Sequence, residues 1–214
     1  MGLSTGVLVD AWGDWPELVR RAADVSPYAV ELSALSGTEL PGLTEYLRSS
    51  PRLPFRYVSV HAPSKDPSGD EAELLGRLPL WVRSIVVHPD VLPSDLTPYR
   101  RLGSRLLIEN MDARKTEGQS VAELAEIFTE LPDAGFCLDV AHSWSLDHSA
   151  EQHLSHDLLD AFRRRLRHVH LSSLDEDGQH VELSLEHEEL FAPVLDRCRD
   201  VPWILEASPP LRWS

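Results

Sequence analysis

Apolar and polar positions along the 214-residue chain switch repeatedly between two periods. Short runs rich in Val, Ile and Leu occur at 6–10, 29–34, 57–63, 84–90, 106–112, 136–142, 168–173 and 203–208. Within most of them the side chains alternate with a period of two, the mark of a strand whose faces meet different surroundings. Val30 and Leu32 oppose Glu31. Val58 and Val60 oppose Ser59 and His61, and Ile85 and Val87 oppose Val86 and His88. Leu106 and Ile108 oppose Leu107 and Glu109, and Phe136 and Leu138 oppose Cys137 and Asp139. Val169 and Leu171 oppose His168 and His170, and Trp203 and Leu205 oppose Ile204 and Glu206. The stretches between the runs predict helices at 16–25, 37–48, 70–78, 93–102, 120–131, 149–166 and 185–199. Pro16 suits a first helical turn. Ser120, with Glu123 three residues on, forms a capping box.

Alternating strands and helices, with strands rich in aliphatic residues, predict a parallel sheet covered by helices. Eight units in 214 residues average about 27 residues, close to the ~30 of a strand–helix–strand repeat. The expected fold is therefore α/β, a compact (β/α)8 TIM barrel forming one domain over 1–214. An open doubly wound sheet is the competitor, but its usual glycine-rich turn, GxGxxG, is absent. The chain after Glu206 reads ASPPLRWS, too short and too rich in proline for an ordinary helix. The eighth helix is expected to be short or missing, leaving a flank for Trp213, a neighbouring subunit or solvent.

The polar residues fall near the C-terminal ends of their runs, and barrel active sites form at that end. Seven consecutive strands bring Glu31, His61, His88, Glu109, Asp139, His170 and Glu206 to one rim. His142 follows Asp139 by three residues, and His180 lies on the loop after His170. Several carboxylates and imidazoles in a low-dielectric mouth need compensation, and a divalent cation is the simplest. The mixed ligands suit Zn, Mn, Fe or Co better than Ca or Mg. His168 sits deeper, as core or as support to the site. His148, His153, His156 and His187 lie on helical or loop stretches and read as solvated. Trp12 and Trp144 follow the first and sixth runs, where a ring either stacks on a sugar face or closes a loop core. Lys65 and Lys115 lie on loops after ligand-bearing strands, facing either an anionic group or solvent.

Composition narrows the partners. Hydrophobic residues make up 42% and charged residues 26%, which excludes a disordered chain. The net charge of −15 opposes phosphate backbones and anionic membranes at long range, so a small molecule is favoured over nucleic acid. Cys137 and Cys198 form no disulfide framework or thiolate metal motif, and Cys137 reads as a small buried hydrophobe. No basic segment precedes an apolar stretch at the start, and no window approaches ~18 apolar residues, so a cytoplasmic protein without a membrane span is expected.

The motifs VHAP at His61, VVHPD at His88, IENMD at Glu109, CLDVAHSW at Asp139 and His142, VHLSS at His170, DGQH at His180 and LEAS at Glu206 follow one another on successive strands. In that order the chain resembles the xylose-isomerase-like barrel superfamily, which holds sugar (phosphate) isomerases and epimerases and the endonuclease IV family. Resemblance to the epimerase branch implies one divalent ion on Glu109, Asp139, His170 and Glu206. It also implies that Glu109 and Glu206 pass protons at a carbon next to a carbonyl that the ion polarises. Resemblance to the endonuclease IV branch implies three zinc ions. His61, His88 and Glu109 match one site, Glu109, Asp139, His170 and Glu206 the second, and His142 and His180 two-thirds of the third. That family has an Asp where this chain has Gly178. A related branch modifies peptides with a multinuclear iron centre. The isomerases commonly carry a glycine-bounded acidic turn after the last His, whereas this chain reads HVELSLEH.

The expectation is a divalent-metal-dependent isomerase or epimerase acting on a small sugar-like substrate, with one to three Mn, Zn, Co or Fe ions per chain. Glu109 and Glu206 are its acid/base pair, and His61, His88, His142 and His180 extend the metal shell or meet the substrate. Glu31, Trp12, Trp144, Lys65 and Lys115 are expected at the substrate, and a homodimer through the bare flank is an expected assembly. The alternatives are a multinuclear metal hydrolase, an iron oxidase, or a non-catalytic metal- or ligand-binding barrel.

Overall fold

Ten strands and eight α-helices are found in the computed structural model, which describes residues 1–209. The strands are β1 (Gly2–Ser4), β2 (Ala29–Ser33), β3 (Tyr57–His61), β4 (Ser84–Val87), β5 (Leu106–Glu109), β6 (Gly135–Asp139), β7 (Leu166–Leu171), β8 (Ser173–Leu174), β9 (His180–Val181) and β10 (Trp203–Leu205). Eight of them pair in parallel and close into a barrel, in the order β1-β10-β7-β6-β5-β4-β3-β2. The other two, β8 and β9, form an antiparallel hairpin above β7. The helices are α1 (Trp15–Val25), α2 (Leu40–Arg48), α3 (Glu71–Gly76), α4 (Thr97–Arg100), α5 (Val121–Glu130), α6 (Val140–Leu146), α7 (His153–Phe162) and α8 (Leu185–Asp196).

Local signals account for the helix starts. The Asp14 carboxylate accepts from Glu17 N at the start of α1, with Pro16 in the first turn. Ser120 and Glu123 form the reciprocal capping box at the start of α5. Alternation accounts for the two layers. Val30, Leu32, Val58, Val60, Ile85, Val87, Leu106, Ile108, Phe136, Leu138, Val169, Leu171 and Leu205 pack outward into one apolar layer under the helices. On the inner face, Val86, Leu107 and Cys137 form a separate small cluster.

Two expectations need correction. The run 6–10 is not the first strand; it is two 3-10 turns, Thr5–Val7 and Val9–Ala11, beyond the true β1. The barrel closes only where β1 fits tightly between β10 and β2. A Cβ at Gly2 would fall 2.3 Å from the Ala29 carbonyl oxygen, so a residue without one fills that position. The run 136–142 is likewise split, because β6 ends at Asp139 and α6, an unexpected helix, follows at once. The β6–β7 connection thus holds two helices, and no helix follows β10 among the described residues. Trp213 lies outside the described residues. No helix among them is long and apolar enough to cross a membrane.

Candidate metal centre

The C-terminal ends of the strands carry the chemistry. Glu109 and Asp139 are the last residues of β5 and β6, His170 is the penultimate residue of β7, and Glu206 follows β10 directly. Asp139 faces His170 in the β6–β7 register. Asp139 is also the N-cap of α6: its Oδ1 accepts from His142 N at 2.7 Å. One carboxylate therefore starts the helix and brings His142 to the site. Asn110 holds the same corner. Its side chain donates to Asp139 O (2.9 Å) and accepts from Asp139 N (2.8 Å), while its own carbonyl accepts from His142 Nδ1 (2.9 Å).

Glu109 is the hub. Its Oε2 lies 3.3 Å from His61 Nε2 and 3.4 Å from His88 Nε2. Its Oε1 lies 3.0 Å from His170 Nδ1 and 3.5 Å from His142 Nδ1. Glu206 Oε1 is 3.3 Å from His170 Nδ1, and its Oε2 is 3.7 Å from His180 Nδ1. His142 Nε2 and His180 Nε2 are 3.3 Å apart. His61 is oriented by donation from Nδ1 to the Ala62 carbonyl at 2.8 Å.

These contacts resolve into overlapping donor sets, each with ligand atoms within 4.8 Å of one another. One is Glu109, Asp139, His170 and Glu206. Others are His61, His88 and Glu109; Asp139, His142 and His180; and His61, His170 and Glu206. The four-residue set fits a divalent ion. It offers three carboxylates and one imidazole, almost wholly buried, and Asp139 Oδ2 is a buried oxygen with no hydrogen-bond partner.

The field inside the mouth separates the two glutamates. For Glu109, burial favours the neutral form, but the charge of His170 and hydrogen bonds from His170, His61 and His88 outweigh it. Its pKa is held well below the usual carboxylate range. For Glu206, burial raises the pKa, His170 opposes, and the Glu109 and Asp139 carboxylates push further, to about 8. Two carboxylates whose surroundings drive them apart are the arrangement used for paired acid and base work. Glu206 is also the more accessible, its side chain 14% exposed against 0% for Glu109. Burial lowers the pKa of His61, but Glu109 raises it to about 9. For His180 burial dominates and lowers it to about 4.

The substrate contacts expected from sequence are placed unevenly. Glu31, expected at the rim, is wholly buried one layer below it, with Oε1 3.1 Å from His170 Nε2. Trp12 is half exposed on the loop after β1. Trp144 packs edge-on to the rings of His148 and His187 and against the outer core, so it closes a loop core. Lys65 is exposed. Lys115 is tied to Asp90 at 2.5 Å, beside His88. His156 and His187, expected to be solvated, are half-buried against Arg197 and against Ser173 and Phe191.

Sequence reasoning missed Asn110 and Asp112, although both stand in the IENMD motif. Asp112 is buried, lies 3.7 Å from His142 Nε2 and is gripped by Arg114 at 2.7 Å. Both follow the end of β5, where the two-residue alternation stops, so periodicity carries no signal for them. Arg114 also reaches the hairpin, donating to Asp177 O. Its side chain lies 3.0 Å from where a Cβ at Gly178 would be, and Gly178 has φ +73°. Gly178 is thus a turn glycine covered by an arginine.

A closed parallel barrel with polar residues gathered at the C-terminal strand ends defines a TIM-barrel protein. The chain belongs to the xylose isomerase-like TIM barrel family, whose profile matches residues 98–206. Among solved structures, a D-tagatose 3-epimerase-like protein is similar at 19% identity and a TM-score of 0.60, over 99% of this chain and 91% of that one. The "probable 3-DHS dehydratase AsbF" of petrobactin synthesis from Bacillus anthracis is similar at 16% identity and 0.56, over 95% and 91%. A D-psicose 3-epimerase is similar at 13% identity and 0.51, over 94% and 79%. At these identities the likeness is one of fold. No curated protein matches the chain in sequence.

Proposed function

We propose that the chain is a divalent-metal-dependent isomerase or epimerase acting on a small sugar-like substrate. The observation that carries this reading is the set Glu109, Asp139, His170 and Glu206, with ligand atoms within 4.8 Å on four neighbouring barrel strands or just after them. Those residues would hold the ion. When bound, a divalent ion polarises a carbonyl oxygen and stabilises the charge that develops on it. The chain's own residues do the rest. Glu206, at the open side of the set, meets the substrate and moves a proton at the carbon next to the carbonyl. Glu109, held among four imidazoles, is its buried counterpart. Asn110 and the α6 N-terminus keep Asp139 in place. The similarity of fold to a D-tagatose 3-epimerase-like protein, a D-psicose 3-epimerase and a probable dehydratase agrees with proton chemistry beside a carbonyl.

The test is hydrogen exchange in deuterated water across a panel of ketoses and aldoses, read by NMR, with the metal content of the same sample. Deuterium entering next to the carbonyl, with about one Mn, Co, Zn or Fe per chain, supports the proposal. Metal-loaded protein that exchanges no substrate proton overturns it.

A second reading is a multinuclear metal hydrolase or iron oxidase. It is favoured by Glu109, whose two oxygens face different histidine pairs, so that His61, His88 and Glu109 form a donor set of their own. Two or three metals per chain with phosphodiester cleavage or oxygen uptake would select it. Gly178 and the charge of −15 weigh against a nucleic-acid substrate.

A further inference from the structure

His170 is the only imidazole in the four-residue set, and its two nitrogens face different surroundings. Nδ1 faces the donor atoms, 3.0 Å from Glu109 and 3.3 Å from Glu206. Nε2 points down the barrel, 3.1 Å from Glu31 Oε1; both atoms are buried and neither makes a hydrogen bond, whereas Nδ1 is hydrogen-bonded to Glu109 Oε1. Glu31 lies on β2, and two strands, β1 and β10, separate β2 from β7 around the barrel wall. The carboxylate therefore reaches across the interior to meet this ring. Ser59 on β3, a small residue at the level of Glu31, meets it there.

The carboxylate is fixed from behind. Ser59 Oγ donates to Glu31 Oε2 at 3.0 Å, while His168 Nε2, 3.5 Å from the same oxygen, makes no hydrogen bond to it. His168 Nδ1 is bonded to Tyr57 OH at 2.8 Å, and Tyr57 OH donates to Ser84 Oγ at 2.7 Å. Glu31, Ser59, His168 and His170 are all fully buried. A polar chain through a barrel core costs stability relative to the branched aliphatic layers that usually fill one. The chain has one outlet at the donor set, and that outlet is His170.

We propose that Glu31 is the positioning residue of the metal centre, holding the His170 ring so that Nδ1 faces Glu109, Asp139 and Glu206. With an ion at Nδ1, the ring proton would sit on Nε2, and Glu31 Oε1 is the acceptor within reach of it. A carboxylate in that place also makes the imidazole a stronger ligand. This inference rests on the proposed metal site and is independent of which reaction the site performs.

The experiment titrates Co(II) into metal-free wild type, Glu31→Ala and Glu31→Gln, reading affinity by calorimetry and the ligand-field bands by visible absorption. Circular dichroism establishes that each sample is folded. Glu31→Ala is expected to bind Co(II) about 10- to 100-fold more weakly, with altered bands. Glu31→Gln has nearly the same volume and keeps an acceptor, so it is expected to fold and to lose less affinity than Glu31→Ala. Variants that are folded and bind with wild-type affinity and spectrum overturn the positioning role and leave the proposed function standing. Wild type that takes up no Co(II), Mn(II) or Zn(II) overturns both.

Discussion

Two sides of the barrel interior are built on opposite principles. On the β4–β5–β6 side, Val86 and Leu107 pack as an apolar cluster with Cys137, whose thiol borders His168 and His170. Across the interior from β2 and β3 to β7, Glu31, Ser59 and His168 form a buried polar chain that runs up to His170. The first side contributes stability through burial and close packing. The second gives up some of that stability, because charges and imidazoles are held away from water, and Glu31 Oε1, His168 Nε2 and His170 Nε2 make no hydrogen bond. What it obtains in exchange is one imidazole held from behind at the donor set. The two sides therefore separate residues that keep the barrel folded from residues that aim a side chain.

The strongest way to break this comparison is at the outlet of the polar side. Glu109→Gln or Glu206→Gln should abolish measurable metal uptake and lower turnover by roughly 10²–10⁴-fold, the range for a removed acid or base. Elemental analysis and the deuterium-exchange assay check this, and unchanged metal content with unchanged exchange would remove the site. Next comes the interior of the polar side. Glu31→Leu alone should destabilise the fold by about 3–5 kcal/mol, since it removes the only carboxylate near His168 Nε2 and the one facing His170 Nε2. Glu31→Leu with His168→Phe should recover much of that loss while metal affinity stays low. Urea unfolding of both variants separates stability from positioning.

On the apolar side, Leu107→Ala should cost about 2–5 kcal/mol in unfolding and leave Co(II) affinity close to wild type. A large fall in affinity with this variant would show that the two sides are not separate. The smallest effect lies outside the barrel. Ser120→Ala removes the capping box of α5 and should cost about 1 kcal/mol with no change at the site. Thermal melts with and without metal measure it.

Much of this division was legible in the order of residues. The alternation Val58, Ser59, Val60, His61 already separates an outward aliphatic face from an inward polar one, and the same holds at Leu106–Glu109 and Phe136–Asp139. The capping signals at Asp14 and Ser120 were equally local. Three things were not legible. The position of β1 was missed because VLVD at 7–10 has the composition of a strand, while the short segment around Gly2 has almost none. Asn110 and Asp112 were missed because they lie beyond the strand, where no period reports which way a side chain points. The surroundings of His187 and Trp144 depend on how α6 packs on α8, a contact between segments some forty residues apart.

Glu31 marks the boundary most clearly. Sequence alone determined that it faces inward, because a strand residue flanked by Val30 and Leu32 must point away from the helices that cover them. Its depth was decided only by the tertiary structure. Depth in a barrel depends on strand register and tilt, which set how far each inward residue lies below the rim. Those are properties of the closed ring of strands: Gly2 pressed against Ala29, Glu31 level with Ser59, and Asp139 level with His170. Periodicity along one strand assigns a side chain to a face. Only closure of all eight strands assigns it to a layer, and in this protein the layer separates a residue at the rim from one that holds a ligand in place.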